Sequence, residues 1–209
     1  MRNVPITFPV STRTLVIHHG SNIHVYYPQV NRMKDTTLAN HIKQLIIKDT
    51  QTLINLQVGN MPSTLEEMLG SYALKNNQRK VFSLTLTNYT YHEKAAHGMT
   101  FIKALTFDLT KEKKVNLADL FKPRSDYKQR LSKLVEEQII ARDVPLLGAF
   151  TGIKPDQDFY IADKTLVLFY QLYDITPYVY GFPMFPINIY DIQDIINKDG
   201  PLERLVENN

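Results

Sequence analysis

Histidines are the side chains best able to act as a base or a metal ligand near neutral pH, and this sequence has six. His18, His19 and His24 stand around one turn, and His92 and His97 around another. Adjacent positions on a strand point to opposite faces, so His18 and His19 cannot converge on one ion. There is no His-Glu-x-x-His, and Asp156-x-Asp158 lacks the glycine and terminal glutamate of a calcium loop. No metal site is assigned. His97 precedes Gly98 and has two readings: a turn histidine bonded to backbone, or a base working with a nearby carboxylate. Nucleophilic signatures are missing, with no Gly-x-Ser-x-Gly and no cysteine. Ser83 lies in a strand pattern, where a hydroxyl is expected to face solvent. Glu66-Glu67, Glu136-Glu137 and Asp191/Asp194 fall on polar faces, and no glycine-rich phosphate loop occurs. No catalytic residue and no cofactor site are assigned.

Aromatic side chains offer a different chemistry. The chain has 12 Tyr, 10 Phe and no Trp, and the densest stretch is Asp158–Ile187. Tyr170, Tyr173, Tyr178, Tyr180, Phe182 and Phe185 exceed what one small sheet face must bury. They are either core or an edge suited to a protein or a sugar face. Pro177, Gly181 and Pro183 fix a bend among them.

These residues must be positioned by the surrounding elements. Leu15–His19 and Ile23–Val30 read as a hairpin about Gly20-Ser21-Asn22. Asp35-Thr36-Thr37 can cap a helix running from Leu38 to Gln57, with Leu38, Ile42, Leu45, Ile46, Leu53 and Leu56 mostly on one face and Gly59-Asn60 as a stop. Glu66–Asn77 is ambiguous: Thr64–Leu69 could start a helix and Gly70–Leu74 could run as a strand, and Ser71–Lys75 is read as a strand. In Lys80–Tyr91, Phe82, Leu84 and Leu86 alternate with Ser83, Thr85 and Thr87, the period of a half-buried strand. Thr100–Leu109 should pair with it antiparallel across the His92–Gly98 loop. Val115–Phe121 reads as a short strand into a turn, and Tyr127–Ile139 as a second helix. Asp158–Ile187 supplies strands, Asp191–Ile196 a short helix, and Pro201–Asn209 a fraying tail. Strands and helices in blocks give an α+β protein of two small subdomains, 10–110 and 111–198. Each is an antiparallel sheet with a helix on one face.

Length and composition set the outer limits. At 209 residues, 44% hydrophobic and 22% charged, the chain can bury a real core. A net charge of +3 without a basic stripe argues against nucleic acid. Without cysteine there is no disulfide framework or Cys-based zinc site. No apolar run is long enough to span a membrane. Met1–Pro5 shows no signal-peptide core, which fits a cytosolic protein or a mature, secreted one.

A family resemblance emerges once these segments are read in order. Tyr89-x-Tyr91, Ala96-His97-Gly98, Phe107-Asp108-Leu109 and Val115-x-Leu117-x-Asp119-Leu120-Phe121 resemble a bacterial family of paired domains of unknown function. Asp158–Ile161, Leu166–Phe169, Tyr173–Tyr178 and Gly181–Pro183 continue the likeness, and Tyr27–Val30 resembles the start of the first domain. That family includes the extracytoplasmic region of a lysozyme-sensing anti-sigma-V factor and the non-catalytic region of a peptidoglycan deacetylase. The resemblance implies a non-catalytic, extracytoplasmic or secreted module of two α+β subdomains. Its implied partner is a lysozyme-like protein or a peptidoglycan fragment. Many members carry Gly-Gly before Ala-His-Gly, where Lys94-Ala95 stand here. The residues expected to bind are Tyr89, Tyr91, His97, Tyr173, Tyr178, Tyr180 and Phe182. The alternatives are a cell-wall hydrolase or deacetylase-associated enzyme using His97, and a purely structural domain.

Overall fold

The computed structural model describes residues 8–206. Residues 1–7 and 207–209, which include the N-terminal segment and the last tail residues considered above, lie outside that description.

The chain begins with a hairpin of β1 (Ser11–His19) and β2 (Ile23–Arg32), which pairs His18 with His24. Gly20, at φ 60°, supplies the left-handed residue of the turn. Helix α1 (Thr36–Val58) is started by Asp35, whose side chain accepts from the Leu38 N–H at 2.9 Å. It ends at Gly59, whose N–H donates to the Asn55 carbonyl. Leu38, Ile42, Ile46 and Leu53 form its buried stripe.

After α1 comes a single long strand, β3 (Leu65–Gln78), which takes in the segment that was ambiguous in the sequence. Register shifts at Leu65/Glu67 and Leu74/Asn76 break its alternation, which is why the pattern reads as neither helix nor strand. With β4 (Val81–His92), β5 (Met99–Asp108) and β6 (Lys113–Lys114) it completes a six-stranded sheet in chain order. Every pair in it is antiparallel except β2–β3, which run parallel over Ile23–Val25 and Met68–Gly70. A parallel pair needs a crossover, and α1 provides it. Gly70 makes the pair possible, because a Cβ there would lie 2.4 Å from Val25 Cγ1 and 2.9 Å from its Cα.

The second half builds a three-stranded antiparallel sheet from β7 (Phe159–Ala162), β8 (Thr165–Phe169) and β9 (Met184–Asn188). Helix α2 (Tyr127–Ala141) sets Leu131, Val135 and Ile139 against Ile161, Leu168, Phe185 and Ile187 of this sheet. The α+β class with one helix per sheet is the observed one. The two sheets turn their remaining faces toward each other, so the layers run α1, large sheet, small sheet, α2.

This layering corrects the expectation for Ser83. Its hydroxyl is fully buried, 2.8 Å from Thr106 Oγ1, and it accepts from the Ile161 N–H at 3.1 Å. The polar positions of β4 are covered by the small sheet rather than by water. Three further expectations change. Leu117–Leu120 is a 3₁₀ turn, held by the Asp119 carboxylate accepting from the Asn116 N–H, where a short strand passing into a turn was expected over Val115–Phe121. Ile189–Ile192 is likewise 3₁₀, displaced from the expected helix at 191–196. The tail does not fray at its start: Pro201–Val206 is a helix, α3, with Leu202 and Leu205 buried. Arg204 of α3 reaches the buried carboxylate of Asp108 in β5 at 2.7 Å. It also exchanges two hydrogen bonds with Arg79 through backbone carbonyls.

Candidate binding surface

The His92–Gly98 loop joins β4 to β5, and the 171–183 bend joins β8 to β9. The fold brings them into contact. His92 belongs to the frame. Its ring nitrogens lie 2.8 Å from the Thr64 hydroxyl and 2.8 Å from the Gln57 carbonyl at the end of α1. Gln57 is itself buried and bonds Asn88, Thr90 and the Met99 carbonyl, anchoring that end of α1 on the sheet.

Four of the seven expected binding residues converge. Gly98 lies against the ring of Tyr89, so closely that a Cβ would sit 2.2 Å from it. The Gly98 carbonyl accepts from the Tyr178 hydroxyl at 2.9 Å and lies 2.9 Å from His97 Nδ1. The His97 and Tyr178 rings stack with centroids 4.0 Å apart, and Tyr173 lies 5.6 Å from Tyr178. His97 Nε2 is 3.0 Å from the Tyr173 hydroxyl. A carbonyl can only accept, so in this arrangement Nδ1 carries the proton. In the neutral ring, Nε2 then accepts from Tyr173. Both nitrogens of His97 are thus engaged by a carbonyl and a phenol, and neither by a carboxylate.

Tyr173 is held at φ 66°, a conformation uncommon outside glycine and asparagine. The strained backbone aims the ring back toward the loop while leaving it 45% exposed. Tyr178–Tyr180 forms a 3₁₀ turn that lifts Val179 to 91% exposure.

The other three expected residues lie elsewhere. Tyr91 donates to the Ala95 carbonyl within its own loop at 3.2 Å. Tyr180 faces α2 and accepts from Arg142 at 3.1 Å. Phe182 packs into the contact between the two sheets, beside Ile102, Tyr160 and Phe169. The choice between core and edge therefore divides within the stretch. Tyr170 and Phe185 are core, and burial pushes the Tyr170 phenol far above its ordinary range. Tyr173 and Val179 are edge.

Gln171 was not singled out from the sequence. Its side-chain amide pairs with β5 as a neighbouring strand would, accepting from the Ile102 N–H at 3.0 Å and donating to the Ile102 carbonyl at 2.8 Å. The same Nε2 donates to Asp158 at 2.9 Å. Nothing local in the sequence marks this role, because the partner lies 69 residues away. Burial raises the Asp158 carboxyl above its ordinary 3.8; the Gln171 hydrogen bond opposes the shift and Asp174 adds to it. Among the described residues, no three His, Asp or Glu side chains gather as metal ligands. No helix there is long and apolar enough to cross a membrane.

Residues 118–190 match the family model described as "Protein of unknown function (DUF3298)". That segment contains α2, the small sheet and the Tyr173–Gly181 bend. Two solved structures share the fold. A DUF3298 family member from Bacteroides fragilis NCTC 9343 is 12% identical, with a TM-score of 0.71 over 96% of this chain and 98% of that one. A DUF3298 family protein from Pseudomonas aeruginosa PAO1 is 16% identical, with a TM-score of 0.70 over the same shares. A search of curated proteins gives no match.

Proposed function

We propose that the protein is a non-catalytic binding or sensing module of the cell envelope, exposed outside the cytoplasm, with a protein or cell-wall ligand. The observation that carries this reading is the surface made by Tyr173 and Val179. Both side chains are exposed, and Tyr173 is held by His97, which stacks on Tyr178 and shares the Gly98 carbonyl with it. Rigid tyrosines give large contact area at little entropic cost, which suits recognition. His97 favours this reading over a hydrolase, since its nitrogens hold the surface together and engage no carboxylate. The compartment and a lysozyme-like or peptidoglycan partner come from the family resemblance.

Calorimetric titration with lysozyme, and separately with muropeptides, tests the proposal. Binding to one of them, lost in Val179→Asp with the fold intact, is the expected outcome. Neither heat nor a shift in Tm with either ligand would count against it. Turnover of peptidoglycan that disappears in His97→Ala would replace it with the hydrolase reading.

A further inference from the structure

The open edge of β5 contains a gap in its hydrogen-bond ladder. Ile102 directs its N–H and carbonyl outward, to Gln171. Thr106 directs its carbonyl outward, to the Val115 N–H at 2.8 Å. Outward-facing residues alternate along a strand, so Ala104 between them must also present its N–H and carbonyl outward. Among the described residues, no group bonds them. Ala104 opens into a cavity of about 220 Å³, whose far wall is Lys114–Ala118 and Pro155–Phe159.

Asp158 lines the same cavity. One of its oxygens takes the Gln171 amide. Two lysines that act on it are committed elsewhere, Lys103 to Asp49 at 3.6 Å and Lys154 to Asp174 at 3.3 Å. Asp158 has no ion-pair partner among the described residues. Asp156 and Lys114 also line it.

We infer that this cavity binds a small peptide-like ligand: one amide-flanked residue bearing a cationic side chain. The ligand residue completes the ladder at Ala104, the N–H of one flanking amide donating to the Ala104 carbonyl and the carbonyl of the other accepting from the Ala104 N–H. Its ammonium group reaches Asp158. The size follows from the ends of the gap. From Ile102 to Thr106 a strand spans about 13 Å, and both ends are closed, by Gln171 and by Val115. A long strand cannot be added there, whereas one residue fits. The site is separate from the Tyr173 surface and stands or falls independently of the envelope reading.

The test uses the whole protein with two probes, Nα-acetyl-lysine amide and Nα-acetyl-norleucine amide. They share the amides and differ in the ammonium group. In amide-resolved NMR titrations, the lysine probe should shift the Ala104 resonance with millimolar affinity, and the norleucine probe should bind about tenfold more weakly. Asp158→Asn should remove that difference while leaving the rest of the spectrum in place. Equal binding of the two probes by the unaltered protein overturns the inference. So does an Ala104 resonance that stays fixed up to about 10 mM lysine probe, whatever the variant does.

Discussion

The two faces of the large sheet are built from the same strands on opposite principles. Toward α1, β4 and β5 present Phe82, Leu84, Leu86, Leu105 and Phe107, an apolar layer with stacked rings. Toward the small sheet they present Ser83, Thr85, Thr87 and Thr106, with Ile102 and Ala104 among them. Yet Ser83, Thr85 and Thr106 are buried as thoroughly as the phenylalanines. The first face is held by area removed from water and tolerates reshaping. The second adds buried hydrogen bonds to a small apolar cluster around Ile102, Tyr160 and Phe169, and a buried donor left alone there costs its full desolvation. An alternating strand thus reveals which residues share a face, but not whether its polar face meets water.

Mutations on each face should separate these principles. The largest effect is expected on the apolar side. Phe107→Ala should destabilise by about 3–5 kcal/mol, read from denaturant midpoints, and a loss under about 1 kcal/mol would mean that α1 is loosely seated. On the polar side, Ser83→Ala should cost about 1–3 kcal/mol, because it strands the Ile161 N–H. Adding Thr106→Val should cost less than the two single losses combined, since both remove one hydrogen bond. Strict additivity would dissolve the distinction between the faces.

Gly98→Ala extends the test to the loop, where it must displace the Tyr89 ring, with an expected loss of about 1–3 kcal/mol and altered Tyr89 resonances. Asp158→Asn should act in the other direction. An acid whose pKa is raised by folding favours the fold in its protonated state. That contribution is complete below the ordinary 3.8 and is lost as pH rises through the raised value. The permanently neutral Asn variant should therefore melt above the parent at about pH 7 and together with it at about pH 3. The smallest effect belongs to Tyr173→Asn. Asparagine accepts the left-handed backbone, so stability should change by only about 0.5 kcal/mol while ligand binding is lost.

The sequence made the hairpin at Gly20, the Asp35-capped helix and the β4–β5 pair legible, because each rests on local signals. It did not show β3 as one strand, since two register shifts and Gly70 hide its period. It missed α3, whose six residues carry too few turns for a helical pattern and are held by Asp108, 96 positions away. For the candidate surface, residue types were legible and their meeting was not. His97 finds Tyr173 across 76 positions, and Gly98 finds Tyr178 across 80. Tyr180 and Phe182 looked equivalent to Tyr173 in the sequence, and only the bend's course turns them toward α2 and the inter-sheet core.

Strand β1 has β2 on one side and no strand on the other among the described residues. Nine residues long, it carries a single lysine or arginine, Arg13, and no proline. Val16 and Ile17 are 44% and 39% exposed. Beyond Arg13 and a register shift at Ser11/Thr12, such an edge has little of the charge and kinking that usually discourage strand-to-strand aggregation. Colloidal behaviour of this protein in concentrated solution will therefore be governed by β1, and a lysine at Val16 is the simplest way to keep it dispersed.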